Sequence, residues 1–232
     1  MSRTDSVPIV AIDGPSGSGK GTVSRLLAGR LNWQLLDSGA LYRLVAHAGT
    51  LAGLGLDDVS GHVALARQMR VRFESDELGG ERIVLDGQDV AAAVRSEAAG
   101  AGASRVAAWP ELRTVLLVRQ HAAVQPPGLI ADGRDMGTVV FPHAALKIFL
   151  TASPAERARR RYKQLKEKGS GVSLAALSRE IAERDRRDAT RPVAPLLPAA
   201  DAIVLDSTNL DASAVAERIL DYGRARGLWS GR

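Results

Sequence analysis

An α/β fold, a doubly wound parallel sheet of five strands joined by helical crossovers, is what the 232 residues predict. The first observation is five short apolar runs: Ile9–Ile12, Trp33–Leu36, Leu129–Ala131, Leu146–Leu150 and Ala202–Leu205. Each suits a buried strand and is too short for a helix. The second is the stretches of helical periodicity between them, the alternation that produces parallel sheets. The third is polar residues at the ends of several runs, where open α/β sheets bind ligands.

The first run empties into Asp13-Gly14-Pro15-Ser16-Gly17-Ser18-Gly19-Lys20-Gly21-Thr22. Gly14, Gly19 and Lys20 fit G-x-x-x-x-G-K, a phosphate-binding loop. Glycines without Cβ atoms let backbone N–H groups converge on phosphate oxygens, and a helix starting near Lys20 aims its positive end at them. Lys20 adds a charge for the β- and γ-phosphates. A dinucleotide fingerprint would need a third Gly where Thr22 stands. Gly21 occupies the place of the usual Ser or Thr that ligates Mg²⁺, so direct metal ligation by a loop hydroxyl is not expected.

Val23, Leu26, Leu27 and Leu31 put one apolar face on a helix over Thr22–Leu31. After the second strand, Ser38, Tyr42 and Arg43 open a helix running to Ala52 and are candidate binding residues; a capping Ser and a solvated Arg are the plainer alternative. A loop to Val59 and a helix over Val63–Met69 follow. Strands Val71–Phe73 and Arg82–Leu85, linked by Glu74–Glu81 and followed by a tight turn at Asp86-Gly87, predict a hairpin inserted over the substrate side. Arg95–Ala108 is expected as one Ala-rich helix, and Pro110 suits the first turn of the next, Glu111–Val124.

The third strand empties into Asp132-Gly133-Arg134-Asp135-Met136-Gly137-Thr138. Two carboxylates flanking an arginine at a strand end mark a site, against the alternative of a structural ion-pair turn. Ser153, Pro154 and Glu156 form a helix start. It opens an arginine-dense excursion, broken at Gly169–Gly171 and continued by a helix over Leu174–Arg187, that would make a mobile lid. Glu156–Arg191 holds twelve Lys and Arg against six Asp and Glu, a net of +6 in a chain of net charge +5. Phosphates or nucleic acid would suit such a segment, but aromatic residues are 4% of the chain and only Tyr162 interrupts it, so a base-stacking platform is poorly supported. The last strand ends at Asp206-Ser207, and a terminal helix covers Ala214–Tyr222.

With no cysteine, disulfides, thiolate catalysis and cysteine zinc sites are excluded. The four histidines show no ligand spacing. Met1–Val7 lacks an apolar signal core and no apolar run approaches about 20 residues. A cytoplasmic monomer with neither membrane nor nucleic-acid partner is the expectation.

The G-K-G-T ending of the loop resembles the nucleoside monophosphate kinases. Four segments make the resemblance specific: Ile12–Thr22 (IDGPSGSGKGT), Leu36–Arg43 (LDSGALYR), Leu129–Pro142 (LIADGRDMGTVVFP) and Glu183–Pro195 (ERDRRDATRPVAP). Ala199–Thr208 (AADAIVLDST) is similar too. Together they resemble the bacterial cytidylate (CMP) kinases. The resemblance implies a three-layer P-loop NTPase fold over 1–232, with a β-containing monophosphate-binding insert at 60–108 and a short helical lid at 153–190. It implies transfer of the ATP γ-phosphoryl to CMP or dCMP with Mg²⁺. Arg43 and Arg134 would hold the acceptor phosphate, with Ser38, Tyr42 and Asp132 in the same pocket. Ser104, Arg113 and Asp135 would read the cytosine, Arg184 and Asp188 would bind the ribose, and Arg191 would stand near the phosphates. Arg157 and Arg161 would close over ATP, whose phosphates occupy Gly14 to Thr22, and Lys20, Arg134 and Arg191 would stabilise the transfer. No protein metal ligand is implied, Mg²⁺ being held mainly by nucleotide phosphates and water. Another monophosphate kinase, for UMP or AMP, is the near alternative; a nucleotide-binding regulator or nucleic-acid-binding protein is the distant one, and no Asn-Lys-x-Asp guanine signature supports it.

Overall fold

The computed structural model describes residues 7–75, 81–167 and 171–229. Parts of the expected Glu74–Glu81 link and of the Gly169–Gly171 break lie outside them. The described chain divides into two compact units, one made of 7–37 and 120–229 and the other of 38–119.

The first unit is built on five parallel strands: β1 (Ile9–Asp13), β2 (Gln34–Asp37), β6 (Leu129–Asp132), β7 (Leu146–Thr151) and β8 (Ile203–Asp206). They stand in the order β2-β6-β1-β7-β8. The registers Asp37↔Asp132 and Ile12↔Asp132 bring three strand ends level, so Asp13, Asp37 and Asp132 share the C-terminal end of the sheet. Val10, Ile12, Ile130, Leu146, Ile148 and Leu150 are each 1% exposed or less, as fully covered parallel strands require. Two helices, α1 (Lys20–Leu31) and α9 (Ala212–Ala225), pack Val23, Leu27, Val215, Ile219 and Leu220 into the same core. Asp211 caps α9 by accepting from the Ala214 N–H at 2.8 Å. Two further helices of this unit, α7 (Pro154–Glu167) and α8 (Leu174–Thr190), pack on each other. α7 starts as Ser153 and Pro154 predict, and Ser153 accepts from the Glu156 N–H at 3.3 Å. Ser173 caps α8, at the expected start, by accepting from the Ala176 N–H.

The second unit holds α2 (Ser38–Leu51), α3 (Val59–Gln68) and the antiparallel sheet β3 (Val71–Ser75), β4 (Glu81–Leu85) and β5 (Gln88–Asp89). Asp86 (φ 48°) and Gly87 (φ 94°) make the tight turn, but it leads back into β5, a strand too short for its alternation to be legible. The helix expected over Arg95–Ala108 is α5 (Glu97–Val106), and a short helix not anticipated, α4 (Ala91–Val94), precedes it. Ser96 separates them: its hydroxyl accepts from the Ala99 N–H and caps α5. α6 (Pro110–Ala122) begins on its proline, as predicted. Among the described residues no helix is long and apolar enough to cross a membrane.

Candidate active site

The loop between β1 and α1 has the backbone its glycines imply. Gly14, Gly17 and Gly19 have φ of 146°, 77° and 96°, and Gly19 is the residue that caps α1. Gly14 also lies against β7: a Cβ there would stand 2.0 Å from the Leu150 carbonyl oxygen. Lys20 folds back over the loop, donating to the Pro15 carbonyl at 2.8 Å and towards Ser18 Oγ at 3.4 Å. It is 6% exposed. Burial, reinforced by the Arg134 guanidinium, pushes its ammonium down to about 7, against the pull of Asp132 and Asp13. Its hydrogen bonds go to a carbonyl and a hydroxyl, and phosphate oxygens would add anionic acceptors.

The strand ends add carboxylates. Asp132 is buried, and burial together with the neighbouring Asp37 pushes it up to about 6 although Lys20 opposes the shift. Asp13, absent from the sequence-based candidates, is buried too and pushed up to about 6 by that burial. Its two oxygens accept from the N–H groups of Met136 and Gly137, each at 2.8 Å, and so fix the segment after β6. That segment winds into a wide π-helical turn over Met136–Val140, with the Val140 N–H reaching the Asp135 carbonyl at 3.1 Å. The signal for Asp13 was its place between a strand and the loop.

Arg134, at the end of β6, donates from Nε to Asp188 Oδ2 of α8 at 3.2 Å. Burial raises the Asp188 carboxyl, yet Arg134, Arg184 and Arg191 together hold it below its ordinary value. Lys20, Arg134, Arg184 and Arg191 thus act on one small region, with Asp13, Asp132 and Asp188 among them.

Two arginines of α7 grip the phosphate loop from outside. Arg157 is buried and donates to the Ser16 carbonyl at 3.0 Å, to the Ala152 carbonyl at 3.0 Å and, in an ion pair of 2.6 Å, to Asp185. Arg160, not anticipated, donates to the Ser18 carbonyl at 3.2 Å and to Ser207 Oγ at 3.1 Å, while Ser207 itself donates to the Ser18 carbonyl at 3.0 Å. Its spacing of three from Arg157 put it on the same helix face. Arg161 is part-buried and donates to Gln164 at 3.3 Å.

In the second unit, Arg43 donates to the Val94 and Ser96 carbonyls, both at 2.9 Å, and so ties α2 to the α4–α5 break. Arg113 lies over the Tyr42 ring at 5.9 Å and donates to the Ala107 carbonyl at 3.3 Å. Ser38 and Tyr42 are buried and Ser104 is half-buried.

A family model described as cytidylate kinase matches residues 10–225, a span that contains the phosphate loop, the strand-end carboxylates and these arginines. The chain belongs to the cytidylate kinase family. This member is 60% identical over 223 residues to the cytidylate kinase of Stutzerimonas stutzeri, covering 96% of this chain and 97% of that one. It is 58% identical over 222 residues to the cytidylate kinase of Pseudomonas savastanoi pv. phaseolicola, covering 95% and 97%. Among solved structures, an uncharacterized protein from Eubacterium ventriosum aligns over 94% of this kinase family member and 98% of its own chain, with TM-score 0.51 and 12% identity, a likeness of fold alone.

Proposed function

We infer that the chain transfers the γ-phosphoryl group of ATP to CMP and dCMP, giving CDP and dCDP. Family membership over nearly the whole length supports the reaction, and one feature of the site carries it chemically: the convergence of Lys20, Arg134 and Arg184 about the loop at Gly14–Thr22. Phosphoryl transfer needs little covalent help from a protein; it needs reactants held in line and equatorial oxygen charge neutralised. In this reading Lys20 meets the β- and γ-phosphates of ATP, while Arg134 and Arg191 neutralise the group in flight. Arginine suits the task because its planar fork binds phosphate in bidentate fashion and stays charged.

Arg43 and Arg134 are assigned the acceptor phosphate, with Ser38, Tyr42 and Asp132. Ser104, Arg113 and Asp135 are assigned the base, and Arg184 and Asp188 the ribose. Cytosine presents an N4 donor, which a carboxylate accepts; uracil would present a carbonyl and leave that carboxylate facing a like partner. Arg161 is assigned to the ATP side of a lid spanning 153–190. The same reading makes the chain a cytoplasmic monomer acting on free nucleotides.

The residues present also suit Mg²⁺. Gly21 offers no hydroxyl, but a Cβ there would lie 3.5 Å from Asp132 Oδ2, and Asp37 is its register partner on β2. Asp132, raised by burial and by the neighbouring Asp37 carboxylate, forms with Asp37 an anionic corner that a hydrated divalent ion would relieve. Asp132 and Asp37 would hold the ion through water; when bound it offsets charge on the β- and γ-phosphate oxygens.

With ATP, Mg²⁺ and CMP, the purified chain should form ADP and CDP in equal amounts, resolved by ion-exchange chromatography. ADP appearing without CDP would reduce the activity to ATP hydrolysis and remove this reading.

A further inference from the structure

The resemblance sends Arg157 towards ATP, but its guanidinium is spent elsewhere. It is buried, and its donors go to two backbone carbonyls and one carboxylate. One of those carbonyls, Ser16, belongs to the phosphate loop; the carboxylate, Asp185, belongs to α8. The loop is seated on the helix at the same point, since a Cβ on Gly17 would stand 3.0 Å from the Arg157 Cβ and 3.2 Å from its carbonyl oxygen. Arg160, nearly one turn on, ties α7 to Ser18 and to the β8–α9 connection through Ser207 and Leu210. Arg160 thus anchors α7 to the sheet, which leaves Arg157 to span from the loop to α8.

Asp185 is the receiving end. Its Oδ2 pairs with Arg157, and its Oδ1 is buried with no protein hydrogen-bond partner, so the guanidinium is what offsets its charge. Asp188, three residues along the same face, pairs with Arg134 at the end of β6. Two ion pairs therefore pin one stretch of α8, one from Arg157 of α7, which also holds the phosphate loop, and one from the β6 turn. Arg184 immediately precedes this stretch and Arg191 closes it. A small rotation of α8 would move both.

We propose that Arg157 and Asp185 are a positioning pair: they touch neither nucleotide, and they hold α8 in register with the phosphate loop so that Arg184, Asp188 and Arg191 meet the acceptor correctly. The proposal rests on the assignment of those three residues to the acceptor side. A misplacement of about 1 Å far from the reacting atoms lowers turnover by roughly 10²-fold, so the pair's effect belongs in kcat.

The experiment compares Asp185→Asn, Asp185→Glu, Arg157→Lys, Arg157→Ala and the double variant Arg157→Ala/Asp185→Ala. It measures kcat and KM for both nucleotides, and the Kd of ATP by calorimetry. Asp185→Asn should lower kcat with CMP by about 10²-fold while changing the ATP Kd less than about threefold, and Asp185→Glu should recover part of the loss. The double variant should be no slower than the worse single variant, because both remove one linkage. A Kd for ATP weakened more than about tenfold in Arg157→Ala or Arg157→Lys, with kcat kept, would make Arg157 a direct ATP contact and overturn the proposal. Losses that multiply in the double variant, or wild-type kinetics in Asp185→Asn, would overturn it too. If Arg157→Ala fails to fold, Arg157→Lys and Asp185→Asn carry the comparison. An inactive wild type would fail the CMP reading instead, a separate outcome.

Discussion

Lys20→Met should lower kcat by about 10³-fold while leaving the fold intact. The magnitude is that of removing one preorganised charge from a site where negative charge builds up. The stability sign runs the other way. Burial pushes the Lys20 ammonium down to about 7, from 10.5 when unfolded, so the unfolded chain binds this proton more tightly. The group therefore opposes folding wherever the unfolded lysine is charged, most fully below about pH 7 and progressively less as the pH rises to about 10. The melting temperature of Lys20→Met should hold or rise relative to wild type, and the gain should widen as the pH falls from about 10 to about 7. ATP would restore the proton: at pH 8, calorimetry in buffers of unlike ionisation enthalpy should show proton uptake by wild type and none by the variant. Asp13 and Asp132, raised only to about 6, stay ionised there and do not mask it. A small loss of kcat, or a large loss of stability, would show that Lys20 serves packing and not transfer.

Gly14→Ala should cost about 3–5 kcal/mol and with it ATP binding. The φ of 146° is one that L residues rarely adopt. The added methyl would also meet the Leu150 carbonyl oxygen at 2.0 Å. That oxygen is backbone in β7, held between β1 and β8, and has no rotamer by which to give way. In a chain of this size the loss corresponds to a melting temperature lower by about 6–20 °C. Gly29→Ala is the control: Gly29 lies inside α1 with nothing within 4 Å of its Cβ position, so alanine there should stabilise by about 0.5–1 kcal/mol. Equal melting temperatures for the two variants would mean that the loop does not seat on β7.

The parallel sheet was legible because buried strands are written as short apolar runs, and all five appear within one or two residues of their predicted ends. The phosphate loop was legible because its glycines and lysine sit at fixed spacing. Capping chemistry was less legible where it competed with a louder pattern: α5 begins two residues later than its Ala-rich run suggests, because Ser96 caps it, whereas α8 begins at Leu174 as expected, with Ser173 as its cap. The partners of the site were the least visible. Asp13 acts through two backbone N–H groups some 120 residues away in the chain, and Ser207 and Arg160 through carbonyls of the loop. Contacts to backbone leave no mark on the residue type of the partner. Arg157 shows the converse: its type and place suggested phosphate, whereas burial and Asp185 give it another occupation.

An acceptor with a cytosine base is tested by kcat/KM for CMP, dCMP, UMP, AMP and shikimate at fixed ATP and Mg²⁺. CMP and dCMP should lead UMP by at least about tenfold, as expected when a buried carboxylate must be matched by a donor on the base. AMP and shikimate should turn over more slowly still. UMP or AMP leading the series would contradict the assignment of the base to Asp135, Ser104 and Arg113.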